Sequence, residues 1–302
     1  MSTNNCTAYK DKGSWLCGRM DGIGASDAAA IVNASPYKSA LELFYEKHAK
    51  EIPEESGIIE RFYWGHSLEN NIAQRFVEET GLEITNPGEF TIYRNKDYPF
   101  IQATPDRLVV KDGIDLIPLE LKTVSPYTAD QWDEDIPLHY KVQLQHQMLV
   151  MGAPYGYLAS LIGFDQYKIF EDTRDEDFIK SLIQQESDFW NKMLKDIPPV
   201  PDGSESCKQM LLKHHPDDNG EKIILPLESV EWFIELQAAK DSIKNLEELK
   251  QSYENKIKAA MGDNTFGILP DNVAQYSWKT QEKAPHKVKG SKTRVLRVSN
   301  IK

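Results

Sequence analysis

The chain has only three cysteines among its 302 residues, Cys6, Cys17 and Cys207. Their number is odd and their spacing wide, so neither a disulfide framework nor a cysteine zinc site is indicated. A reducing, cytoplasmic setting is therefore expected. No run of about 18 apolar residues occurs, so neither a membrane-spanning helix nor a membrane partner is expected. The opening residues, MSTNNCTAYKDKGSW, lack the apolar core of a signal peptide. No phosphate-binding P-loop motif occurs, which argues against built-in ATP hydrolysis. The seven histidines include the pair His214 and His215, in a polar stretch without other ligands at useful spacing. A zinc centre is not indicated there. Positive charge is also scarce, with a formal net charge of -12. The deficit is uneven, because Lys279 to Lys302 holds eight Lys or Arg residues and one acid, Glu282. Any contact with a phosphate backbone is thus expected to be confined to a groove or to this tail.

What is present is enough for a sizeable core. The apolar content is 40%, which suits one large domain, alone or with an appendage. SDAAAIVN (26–33) reads as a short helix with Ser26 as N-cap. LELFYEKHAK (41–50) reads as a second helix. SLENNIAQRFVEETG (67–81) is clearer, with Leu68, Ile72, Ala73, Phe76 and Val77 on one face and Gly81 as C-cap. From about Phe90 the pattern turns to short β-type runs: EFTIY, FIQAT, RLVV and LIPLELKTV. Asp112-Gly113 is a strong turn signal between the last two. HYKVQLQHQMLVMG (139–152) predicts a helix ending at Gly152. YGYLASLIG and QYKIFE predict two more strands, and residues 175–195 an amphipathic helix. IPPVPDGSES opens a linker taken as 199–225. Beyond it, Trp232, Leu236, Ala239, Ile243, Leu246, Tyr253, Ile257 and Ala260 follow a coiled-coil spacing over about 30 residues, interrupted by Lys250. A strand pair and the basic tail follow.

One constellation carries chemistry. Asp106 follows an apolar strand and Pro105, and thirteen residues separate it from Glu120. Glu120 and Lys122 share a strand face, while Leu121 points to the other layer. A turn at Asp112-Gly113 brings Asp106 back beside Glu120. Two carboxylates and one amine then converge. Carboxylates cannot share a dry site cheaply without a cation. Mg²⁺ resolves this with oxygen ligands, polarises a phosphoryl oxygen and activates a bound water. Lys122 would orient that water or offset charge building on a phosphate. Glu69 borders the apolar face of its helix, from where it could add a ligand. Gln143, Gln145 and Gln147 interrupt an otherwise apolar helix, and one of them is expected to reach the site.

The ordered set GIGASDAAAIVNASPYKS, WGHSLENNIAQRF, ATPDRLVV, LELKT and YKVQLQHQMLVMG resembles the YqaJ-like viral recombinase family. Those proteins are relatives of the lambda-type exonuclease within the PD-(D/E)XK nuclease superfamily. The resemblance spans about residues 15 to 195. It implies an α/β (α+β) fold: a restriction-endonuclease-like core with a central mixed β-sheet flanked by helices. Residues 1–198 would form the nuclease domain and 226–302 a C-terminal helical, coiled-coil-like extension with a strand pair and basic tail. The resemblance implies Asp106, Glu120, Glu69 and the Leu121 carbonyl as metal ligands, with Lys122 the catalytic lysine. Gln143 and Gln145 match the family's QxQ pair. Arg19 and Ser26 keep the separation of the Arg and Ser that hold a 5′-phosphate, and a helix start suits anion capture. Arg107 stands where the family usually has Gly, and could close the turn differently or add a phosphate contact. Lys287, Lys289, Lys292 and Arg294 of the basic tail are further candidates for holding DNA.

The implied activity is a phage-type, Mg²⁺-dependent 5′-to-3′ exonuclease of homologous recombination, with Mn²⁺ as a substitute ion. Two-metal catalysis would act on double-stranded DNA with a 5′-phosphate end, leaving 3′ single strands for an annealing protein. The resemblance also implies a ring-like homo-trimer and a phage or prophage protein in a bacterial cytoplasm. Two alternatives are a site-specific endonuclease on the same scaffold, and a non-catalytic protein that binds DNA or a recombination partner. An intact set of Asp106, Glu120 and Lys122 speaks against the latter, since a binding module need not keep all three.

Overall fold

The computed structural model describes residues 5–49, 59–111 and 115–281. A short strand, β1 (Asn5–Ala8), leads into three helices, α1 (Lys12–Met20), α2 (Ala25–Ile31) and α3 (Ala40–Ala49). The long helix α4 (Ile59–Thr80) is followed by strands β2 (Glu83–Thr85), β3 (Thr91–Arg94), β4 (Gln102–Ala103), β5 (Arg107–Lys111) and β6 (Asp115–Val124). Helix α5 (Leu138–Met151) precedes β7 (Tyr155–Ile162), β8 (Gln166–Thr173) and α6 (Glu176–Leu194). Then come α7 (Glu205–His214), α8 (Ser229–Met261), β9 (Phe266–Ile268) and β10 (Gln275–Ser277). The Asp112-Gly113 turn lies outside the described residues, as do Lys287, Lys289, Lys292 and Arg294.

The main sheet has five strands in the order β2-β5-β6-β7-β8. It is mixed, because β6 and β7 run parallel and the other neighbours antiparallel. A parallel pair needs a crossover of a dozen or more residues, and α5 supplies it. The central strand β6 is covered on both faces. Ile117, Leu119 and Leu121 are buried on one, and Glu120 is buried on the other. Alternation along the pleat separates the two sets. Helix α4 lies on the Leu119 side, where Phe76 meets the register partner of Leu119, Tyr157, edge to face. Helix α5 lies on the Glu120 side, with Leu144 and Met148 against Gly156. A second sheet, β1-β3-β4, stands apart.

Helix ends follow local chemistry. Gly152 closes α5 in the left-handed conformation at φ 67°, as glycine does without steric cost. Asp175 caps α6 by accepting the N–H groups of Asp177 and Phe178. At α2 the expectation for Ser26 is corrected. The helix begins at Ala25 with Gly24 as N-cap, and the Asp27 side chain accepts the Gly24 N–H at 3.0 Å. Ser26 therefore stands in the first turn with its hydroxyl free of capping.

The chain divides into two units, residues 1–214 and 215–302. The linker expected at 199–225 is interrupted, because residues 205–214 form α7 and belong to the first unit. Cys207 and Met210 are buried there, and the Ser206 hydroxyl accepts the Ser39 N–H at 2.9 Å. The second unit holds α8, an almost wholly exposed helix, and the β9-β10 pair packed near Met261.

Candidate active site

The register of the sheet assembles the acids. Arg107 pairs with Leu119, which sets Asp106 one step on, beside Glu120. The Asp106 Oδ2 accepts the Leu121 N–H at 2.8 Å and so fixes the entry to β5 against β6. Glu120 is 3% exposed, and a carboxylate at that depth needs partners for its oxygens. Three side chains provide them. Lys122 and Gln143 each donate to Oε1 at 2.5 Å, and Gln147 donates to Oε2 at 2.6 Å. The Lys122 ammonium also lies over the Tyr140 ring, 5.1 Å from its centre.

Charge accounts for the protonation tendencies. Burial pushes the Asp106 carboxyl well above the carboxylate range, Glu120 adds to this, and Lys122 only partly opposes it. For Lys122, burial alone would favour the neutral amine, but the carboxylates of Glu120 and Asp106 raise it further above its usual range. The site is thus short of positive charge.

Asp106, Glu120, Glu69, Gln143, Gln147, Arg107, Arg19 and Ser26 all border one cleft of about 600 Å³. Glu69 stands at its mouth, where its Oε1 lies 2.9 Å from His66 Nδ1. Arg107 donates to the Asp106 carbonyl and to Asn70 Oδ1 of α4 at 2.6 Å while lining the cleft. It ties β5 to α4 in the position the glycine would leave open. The Arg19 guanidinium stacks over Trp15 at 4.8 Å, with its Nη2 3.5 Å from the Ser26 hydroxyl.

The structure does not bring Gln145 to the acids. Its amide donates to Asp172 and to the Thr173 carbonyl, both at 2.8 Å, and accepts the Asp175 N–H at 3.0 Å. Helical phase is the reason: residues 143 and 147 share a face, and residue 145 points about 200° away from 143. Gln147 takes the place expected of Gln145. The signal available was the spacing of four between Gln143 and Gln147. Tyr140, one turn before them, was missed as a neighbour of Lys122.

Comparison with known proteins agrees with this architecture. Residues 14–154 match the model of the YqaJ-like viral recombinase domain. A protein of Bacillus subtilis (strain 168), the uncharacterized protein YqaJ, is 33% identical over 270 residues, covering 88% of this chain and 82% of that one. Among solved structures, an alkaline exonuclease from Laribacter hongkongensis aligns with a TM-score of 0.50 at 20% identity, over 68% of this chain and 99% of its own. Its complex with dAMP aligns at 0.51 and 20% identity, over 68% and 98%. The mixed sheet flanked by helices is a PD-(D/E)XK-like fold, shared with that alkaline exonuclease.

Proposed function

Since the chain belongs to the YqaJ-like viral recombinase family, we propose that it is a divalent-metal-dependent deoxyribonuclease that degrades linear duplex DNA from a 5′-phosphorylated end. The observation that carries this is the meeting, in one cleft, of an acid pair with a separate Arg-Ser pair, the Glu120 member of the acid pair being held by Lys122. The alkaline exonuclease with the same fold, solved with dAMP, supports a DNA substrate.

The donor set fits a hard cation. Asp106, Glu120 and Glu69 offer only carboxylate oxygens, and the raised carboxyl of Asp106 marks a deficit of positive charge. With the Leu121 carbonyl, these residues would hold the Mg²⁺ ions of a two-metal site, with Mn²⁺ as substitute. Bound there, the ions would polarise a phosphoryl oxygen and lower the pKa of a coordinated water. The chain's own residues do the rest. Gln143 and Gln147 hold the Glu120 carboxylate in one orientation. Lys122 offers N–H groups to the attacking water and to charge building on the phosphate. Arg19 and Ser26 receive the 5′-phosphate and so set the reacting end.

The proposal includes a 3′ single-stranded product, a single-strand annealing protein as partner and a homo-trimer. Digestion of linear duplex carrying either a 5′ or a 3′ label, with Mg²⁺ or with chelator, tests it. Early release of the 5′ label that chelator abolishes is expected, with covalently closed circles left intact. Early release of the 3′ label would overturn the polarity, and cutting of closed circles would favour an endonuclease.

A further inference from the structure

On the reading that Arg19 and Ser26 receive a 5′-phosphate, the structure assigns Lys47 the role of positioning residue for that pocket. Within LELFYEKHAK it resembles an ordinary solvated charge. Its side chain is instead 3% exposed, on the face of α3 that also buries Leu43 and Phe44. A buried ammonium needs acceptors for its three N–H groups. Lys47 has three: the Gly22 carbonyl at 2.6 Å, the Arg19 carbonyl at 3.2 Å and Asp27 Oδ2 at 2.9 Å.

Those acceptors come from both halves of the pocket. Arg19 stands in the last turn of α1, and Asp27 follows Ser26 in the first turn of α2. Asp27 also accepts the Gly24 N–H, and Gln102 Nε2 donates to the Arg19 carbonyl at 2.8 Å. One ammonium therefore binds the end of α1, the loop between and the start of α2 into a single unit. The Arg19 and Ser26 side chains are left to face the cleft.

Charge gives Lys47 a second task. Asp27 is adjacent to Ser26, where a free carboxylate would repel a phosphate. Burial would raise that carboxyl, but Lys47, Lys38 and Arg19 hold it well below the usual carboxylate range, so it is an anion. Lys47 neutralises it at contact distance. Without Lys47, a buried and poorly compensated anion would lie beside the phosphate site.

The test compares the full-length chain and variants on two duplexes of one sequence, with a 5′-phosphate or a 5′-hydroxyl. The readout is the ratio of kcat/KM between the two ends, in which the folded fraction cancels. Lys47→Met is expected to lower the ratio at least about tenfold, mainly through KM on the phosphorylated end, as loss of a charge-assisted contact would. The double variant Asp27→Asn/Lys47→Met removes the uncompensated anion and is expected to recover part of the ratio, though not all, because the tether stays broken. A role in stability alone would slow both ends equally, and an unchanged ratio in Lys47→Met would overturn the inference. Should Lys47→Met fail to fold, the double variant decides: a ratio equal to wild type overturns the inference, and a lower one supports it. Arg19→Ala separates the two levels. If it too leaves the ratio unchanged, or wild type shows no preference, the phosphate pocket itself is refuted. If it collapses the ratio while Lys47→Met does not, only the role of Lys47 falls.

Discussion

Asp106 shows how crowded charge acts on a single residue. Its carboxyl is raised by burial and by Glu120, so the folded state holds the proton more tightly than the unfolded state does. The sign follows by linkage: without metal, its contribution is full below the ordinary value of 3.8 and is lost as pH rises through the raised value. Asp106→Asn should therefore melt a few degrees higher than wild type at neutral pH in chelator, with the gap closing toward acid pH. It should also lower the rate by about three orders of magnitude in Mg²⁺. A lower melting temperature for the variant in chelator at neutral pH would contradict the charge balance described for the site. The glutamines divide in the same manner. Gln147→Ala should lower the rate of the folded protein about 10- to 100-fold and also cost about 1–3 kcal/mol, since it leaves the buried Glu120 Oε2 without that donor. Gln145→Ala should cost about 1–3 kcal/mol, measurable by denaturant unfolding, while the folded enzyme keeps its rate.

At the scale of elements, the packing of α5 on the sheet transmits stability into the site. A Cβ at Gly156 of β7 would lie 2.8 Å from Leu144 Cδ1. Gly156→Ala should cost about 1–3 kcal/mol and, by displacing the helix that carries Gln143 and Gln147, reduce activity beyond what unfolding explains. Unfolding curves and kcat measured at a temperature where the variant is folded would separate the two effects. The same helix shows what the sequence made legible. Its apolar content and terminal Gly152 marked it clearly, as periodicity marked α4, α6 and α8. The strands β5 to β7 were equally plain, because buried central strands are apolar runs, and the edge strand β8 was marked by its β-type residues. Short elements escaped notice. Asn5–Ala8 makes its sheet only by pairing with β3, and α1 mixes glycine with polar residues. Helix α7 was hidden inside an apparent linker because it buries only Cys207 and Met210. Within the site, Glu120 and Lys122 could be placed by strand alternation, and Asp106 by the turn signal that folds its strand back on theirs. Which glutamine reaches Glu120 depended on helical phase relative to the sheet, and the burial of Lys47 on tertiary packing around a loop. Its spacing of four from Leu43 and three from Phe44 was the one local sign that it faces inward.

For the whole molecule, the division at residue 214 has a direct consequence. A chain ending at His214 should melt cooperatively and retain nuclease activity. One ending at residue 198 would lose α7 with its two buried apolar side chains, and should be less stable by about 3 kcal/mol. Equal stability of the two in urea unfolding would show that α7 adds nothing to the first unit. The second unit contrasts with the first. Along the 33 residues of α8, Met261 alone is buried, while Trp232, Leu236, Ile243, Leu246 and Tyr253 lie about half open to solvent. An indole in that condition is a built-in optical reporter, because its fluorescence maximum follows the polarity around it. Trp232 is 57% exposed and Trp132 only 2%, so their emission bands lie at opposite ends of the tryptophan range. With Trp64 and Trp278, which are also about half exposed, replaced by Phe, any molecule that covers the α8 face would move the Trp232 band toward the blue and shield it from aqueous quenchers, leaving the buried Trp132 band as a reference. Engagement of this helix could then be followed in solution without a label.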